Sequence, residues 1–250
     1  MVLCAYNART TMRKCSTLRD CILPVLPFLI AFGAVFLRIN AAPRTIDDAY
    51  ITYRYARNIL AGNGFVFNPG EHVLGTTTPL YTLLLALLAT PFGGANANFP
   101  FLSYLINSII DGVTCLLLYR LGKISRAPLL GIATSLGFAL APFSVTFSIG
   151  GLETSLYVFL LVGVALTYLQ DHFEWAACLA ALAFLTRPDA LILILPLFLD
   201  FLFQTYQMAR VNHGWQKKNT IQQFLRVILI FTIPCAIWFA FAYYYFGSPF

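Results

Sequence analysis

Charge is scarce in this 250-residue sequence: Asp, Glu, Lys and Arg make up 10% of it, against 59% apolar residues. A soluble domain carries roughly a quarter charged residues, so composition excludes an ordinary water-soluble fold. Also missing are the glycine-rich phosphate loops, the H-E-x-x-H metalloprotease pattern and the G-x-S-x-G nucleophile elbow. Those absences argue against nucleotide hydrolysis and against a soluble cofactor. None of the six cysteines (Cys4, Cys15, Cys21, Cys115, Cys178, Cys235) falls in a segment placed outside the membrane below, so no disulfide framework is expected. Cys15 and Cys21 flank the first apolar run, where acylation and idle burial both stay open. The turn with Asp171, His172 and Glu174 lacks metal-ligand spacing.

What the sequence has instead is a succession of long apolar runs, with a mean hydropathy of +0.76. They cover approximately 22–37, 78–92, 99–121, 128–149, 154–169, 174–186, 189–203 and 224–246. Most approach the roughly 20 residues a bilayer span needs, and their continuity argues against a β-barrel. The expected class is an all-α polytopic membrane protein. The first run follows a basic tail and is broken by Arg38 before any small-residue cleavage site, which predicts an uncleaved anchor. The net charge of +6 does not point to nucleic acid, because the bases cluster between apolar runs as cytoplasmic loops do.

Topology turns on 78–92. Prolines at 79 and 91 leave a helix too short to cross a core of about 30 Å, so an interfacial or re-entrant helix is expected. With that segment not crossing, 11 of the 16 bases lie on the cytoplasmic side and Arg38, Arg44, Arg54, Arg57 and Arg187 lie outside. If it crossed, the distribution would invert, against the positive-inside rule. The prediction is therefore about seven transmembrane helices, a cytoplasmic tail 1–21, and a transmembrane domain 22–250 with a large external loop 38–98. Asp47, Asp48, Glu71, Glu153 and Asp189 then share the outer face.

Two adjacent carboxylates, Asp47 and Asp48, open an amphipathic stretch that runs to Leu60 and stops at Ala61-Gly62-Asn63-Gly64. Acids suit a helix N-terminus, so capping is one explanation. The other is a general base beside a second acid that orients it, or that holds an acceptor or a divalent cation. Two acids alone do not make a metal site, so a divalent cation stays possible and no cofactor is certain. Arg54 and Arg57 suit either lipid headgroups or a substrate phosphate. Thr76-Thr77-Thr78 ahead of Pro79 suits either an anion at a helix N-terminus or plain capping. Glu153 and Arg187-Pro188-Asp189 sit at span ends on the outer side, where the last two could simply pair. Asp111 falls mid-span and needs a partner, protonation or a polar cavity.

The stretch from Asp47-Asp48-Ala49-Tyr50 to Tyr53-Arg54-Tyr55-Ala56-Arg57-Asn58, with Gly62-Asn63-Gly64-Phe65-Val66-Phe67-Asn68-Pro69-Gly70-Glu71 and Thr78-Pro79-Leu80, resembles the first external loop of GT-C glycosyltransferases. These polytopic enzymes include protein mannosyltransferases and arabinosyltransferases. Gly151-Leu152-Glu153-Thr154, Arg187-Pro188-Asp189 and Phe246-Gly247-Ser248-Pro249 follow in the family's order. The resemblance implies inverting transfer of a sugar from a polyprenyl-phosphate donor to a glycan, lipid or protein acceptor on the outer face. By that likeness Asp47 is the base and Asp48 stands beside it. Arg54, Arg57 and Arg187 are candidates for the lipid phosphate, and Glu71 and Glu153 line the site. His72 and Leu74 stand where relatives often carry Arg and Glu. Family members continue beyond the equivalent of Phe250, so the expectation is an N-terminal portion of a longer enzyme, or an inactive relative. A transporter or lipid flippase is the remaining alternative, but no internal repeat supports it.

Overall fold

The computed structural model describes residues 18–211 and 215–248, with side chains from 25–211 and 218–248. The tail 1–17 and the closing Pro249 lie outside the described residues. Described elements are all helical: α1 (Leu18–Ala41), α2 (Ala49–Leu60), α3 (Pro79–Ala89), α4 (Phe99–Ile124), α5 (Pro128–Leu140), α6 (Pro142–Ile149), α7 (Thr154–Tyr168), α8 (Phe173–Thr186), α9 (Leu191–Val211) and α10 (Trp215–Phe246). Short 3-10 turns extend α3, precede α4 and lead into α9. Among the described residues there is no strand.

Among the described residues, three helices are long and apolar enough to cross a membrane: α4, α9 with its leading turn, and α10. A fourth span forms if α5 and α6 count together, although they meet at 51°. Among the described residues, α3 with its following turn, α7 and α8 are apolar but shorter than a full span. The run 128–149 is therefore not one continuous helix. Pro142 supplies no backbone N–H, and the residue before it is pushed out of helical geometry. Ala141 accordingly sits at φ −60°, ψ 124°.

Helix α4 is the spine, packed against α1, α5 and α7, with α8 joining α7 to α10. Small residues permit the close approaches, as is common where lipid offers no hydrophobic drive for helix association. At the α4–α5 crossing a Cβ on Gly122 would collide with the backbone of Gly131. The main core joins α2 (Ala49, Tyr53, Ala56), α3 (Tyr81, Leu85), α4 (Phe99, Leu102) and α7 (Leu156, Leu160). Helices α2 and α3 are thus built into the bundle's end and do not float on it. Little of α9 or α10 is buried within the protein, as suits helices facing lipid.

Arg38 corrects the expected topology. The charge pattern predicts an outer position for it, yet α1 continues to Ala41 and carries Arg38 wholly buried. Its Nε donates to Asp111 Oδ2 at 2.5 Å. Nη1 donates to the carbonyls of Ala34 and Ala139, and Nη2 to Ser144 Oγ at 2.7 Å. Asp111 has the partner its depth demanded, and the guanidinium bridges α1, α4, α5 and α6 across the α5–α6 break. The connection from α1 to α2 consequently starts after Ala41, not at 38.

Candidate active site

Three side chains reach the Ser148–Leu152 turn from within the bundle. Asn107 of α4 donates to the carbonyls of Leu152 (2.8 Å) and Ser148 (3.3 Å). Tyr81 of α3 donates to Asn107 Oδ1 and reaches Gly151 O at 3.4 Å. Tyr53 of α2 shares a 2.5 Å hydrogen bond with Ser103 and also reaches Gly151 O. Burial pushes the Tyr53 phenol up to about 12, against a smaller opposing pull from Ser103, so it stays protonated as a structural donor. Gly151 sits at φ +79°, and a Cβ there would strike the Tyr53 hydroxyl. Only glycine satisfies both demands.

That turn holds the segment leading to the aspartates. Arg44 N donates to Ile149 O and Ile46 N to Gly150 O, each at 3.0 Å. Asp47 and Asp48 follow at once, and their carbonyls accept from Tyr50 N and Ile51 N as the chain winds into α2. Asp48 occupies the N-cap position with no side-chain cap hydrogen bond. Both aspartates are exposed, and neither carboxylate has a hydrogen bond or ion pair among the described residues. Capping alone therefore leaves these side chains unexplained. The backbone is fixed and the acids are uncommitted.

Glu153 stands on the same turn at the head of α7, and its side chain is 12% exposed. Arg187 reaches it at 3.4 Å and Asp189 at 3.1 Å, with its guanidinium also over the Tyr157 ring. The expected Arg187–Asp189 pairing is present, but it is half of a wider cluster. Burial is the main cause raising the Glu153 carboxyl above the usual range; its own N–H and Arg187 oppose it, while Asp189 and Asp48 add to it. Because Ile46 N bonds Gly150 O, the start of α2 and the Glu153 turn are side by side along the chain's fold.

The other candidates separate. Arg54 is occupied: Nε donates to Phe67 O and Nη2 to Asn68 Oδ1, each at 2.9 Å, with the Phe67 ring 4.4 Å away. It fixes the loop after α2, helped by Asn58, which donates to the carbonyls of Val66 and Phe67. Arg57 is exposed over the Phe99 ring and has no ion pair among the described residues. Glu71 Oε2 accepts from Asn68 Nδ2 at 3.0 Å on the wall of a cavity of about 290 Å³. Thr76 and Thr78 are buried and bond each other, and Thr78 also meets Thr52, so these two hydroxyls serve the fold. Among the described residues no group of three or more His, Cys, Asp or Glu is arranged to hold a metal.

The polar contacts that sequence reasoning missed are those of Tyr53, Tyr81 and Asn107. Each of the three is a polar residue in an apolar or amphipathic helix, which was the available signal, but their target is a backbone turn that no side-chain motif marks. A larger apolar cavity of about 320 Å³ lies between α8, α9 and α10, toward the end of α7 opposite Glu153. It is remote from the acids.

No protein-family model matches the chain, and no solved structure matches it. Over 115 residues, 44% of this chain, it is 31% identical to the terminal β-(1→2)-arabinofuranosyltransferase of Mycobacterium tuberculosis. The chain spans only 18% of that relative's length.

Proposed function

We propose that this chain carries the catalytic loop of a GT-C-like membrane glycosyltransferase. It moves a sugar from a polyprenyl-phosphate donor to an acceptor hydroxyl on the extracytoplasmic face, with inversion. The observation that carries this reading is the pair of exposed, uncommitted carboxylates at Asp47 and Asp48 on a backbone fixed by the 149–150 carbonyls. Distant similarity to an arabinofuranosyltransferase supports a glycosyltransferase, and its named sugar makes arabinofuranose the first to test.

In this mechanism Asp47 accepts the proton from the acceptor hydroxyl as its oxygen attacks the anomeric carbon. The bond from that carbon to the phosphate oxygen breaks, and the lipid phosphate leaves with the electron pair. Arg187, beside Glu153 and Asp189, and the unpaired Arg57 are the cations available to meet that growing negative charge. Asp48 raises the negative potential next to the base and aids its orientation.

Asp47→Asn keeps the shape and removes the base. In the full-length protein reconstituted with polyprenyl-phosphoarabinose, kcat is expected to fall about 10²–10⁴-fold with insertion unchanged. Transfer at the wild-type rate would remove Asp47 from the mechanism.

A further inference from the structure

The cavity beside α2 has a composition that selects among the substrates. Its walls are Ile51 and Tyr55 from α2, Phe67 and Asn68 from the loop after it, and Glu71 with Val73 from the turn that follows. We infer that it is the acceptor subsite, and that it takes an uncharged sugar ring through its hydroxyl groups. This rests on the glycosyltransferase reading above and extends it to a second substrate.

Position comes first. Ile51 lies in the first turn of α2, and its amide bonds the carbonyl of Asp48, the N-cap residue. Side chains on a helix lean toward its N-terminus, so Ile51 leans toward the end of α2 at which the two aspartates stand. A ring resting on Ile51 therefore lies beside the aspartate pair.

Charge comes second. No basic residue lines the cavity. The adjacent cation, Arg54, is committed to Phe67 O and Asn68 Oδ1. The one charged lining group is Glu71, exposed and holding a single side-chain hydrogen bond, from Asn68. A lipid phosphate would meet the Glu71 carboxylate and no uncommitted lining cation, while a hydroxyl would find an acceptor. The cations suited to phosphate, Arg187 and Arg57, are not among the lining residues.

Rigidity and size come third. Tyr55 is buried and its hydroxyl both donates to Val73 O at 2.7 Å and accepts from Gly75 N at 2.8 Å. Arg54 stiffens the Phe67 side. The walls are therefore formed before any ligand arrives. A volume of about 290 Å³ is at the lower end for small-molecule sites and suits one sugar ring better than a lipid chain. Apolar Ile51 and Val73 together with polar Asn68 and Glu71 give the lining the mixed character that a furanose or pyranose also has.

The test uses methyl arabinofuranoside as probe and the full-length protein in lipid nanodiscs. Saturation-transfer NMR at about 10 mM detects affinities as weak as the millimolar range. Wild type is expected to show binding, Ile51→Trp to abolish it by filling the cavity, and Glu71→Gln to weaken it several-fold. In transfer assays the same two variants should raise the acceptor KM at least about tenfold and leave the donor KM within about twofold. No binding to wild type, equal binding to all three proteins, or a rise in the donor KM instead would each overturn the assignment. If Asp47→Asn abolishes transfer while the cavity variants leave the acceptor KM alone, the subsite fails and the glycosyltransferase reading stands. If Asp47→Asn transfers normally, that reading itself has failed.

Discussion

Arg38 and Asp111 show what a charge must do to exist in this interior. Each is essentially excluded from solvent, and each would be costly alone in a bundle surrounded by lipid. Pairing, plus two carbonyls and a serine for the rest of the guanidinium, makes Arg38 tolerable. Asp111 Oδ1 still lacks a partner among the described residues, as does Ser148 Oγ close along the chain to the active turn. Because one partner removed leaves the other buried and uncompensated, Arg38→Met is expected to destabilise the protein by about 3–5 kcal/mol. The double variant Arg38→Met, Asp111→Leu should recover most of that loss. Thermal unfolding midpoints in detergent check this, and equal midpoints for single and double variants would refute it.

Among elements, the Ser148–Leu152 turn decides where the chemistry can happen, since it receives Asn107, Tyr81 and Tyr53 from below and the 44–46 segment from the side. Gly151→Ala would both strain the positive φ and push against the Tyr53 hydroxyl. Displacing the aspartate frame by about an ångström is expected to lower kcat about 10²-fold. Gly62→Ala offers the control. Its φ of +81° is equally unfavourable, yet nothing lies within 4 Å of the added Cβ, so turnover should stay near wild type. Matching losses in the two variants, measured per folded protein, would show that strain alone is responsible. The 63–72 loop is held by different means. Phe65 packs on Trp238, Phe241 and Phe246 of α10, and His72 lies edge-on to Tyr245. That last helix thereby helps shape the cavity although it lines none of it.

For the whole molecule, orientation is the expectation most open to direct measurement. Moving Arg38 into the interior removes one base from the set expected outside and none from the set expected on the cytoplasmic side, which sharpens the expected asymmetry. Exposed Thr77 and exposed Arg126 should lie on opposite sides of the membrane. A membrane-impermeant maleimide applied from outside intact cells is expected to label Thr77→Cys and to reach Arg126→Cys only after permeabilisation. Labelling of both from one side would overturn the non-crossing assignment of 78–92. Hydropathy made the helical class legible, and glycine and proline punctuation marked the ends of α2 and α3 closely. The bent α5–α6 pair was not legible, because apolar character runs unbroken through Ala141-Pro142 and only the proline's geometry interrupts it. Glu153 and Arg187 were legible as neighbours on one face through the topology. The commitment of Arg54 to Phe67 and Asn68 was not, since a guanidinium fork fits a backbone carbonyl as readily as a phosphate.

The stretch between Arg38 and Asp47 is clamped at both ends, by Asp111 below and by the carbonyls of Ile149 and Gly150 above. Its contour length is therefore a ruler. A deletion inside it must either pull the guanidinium off its partner or tear the acids from their seat, while an insertion must bulge outward from the exposed residues 42–44. Two chains sharing this architecture should consequently keep at least that spacing even where every side chain between has drifted. A distant cousin could then be picked out by an interval when residue identity has faded.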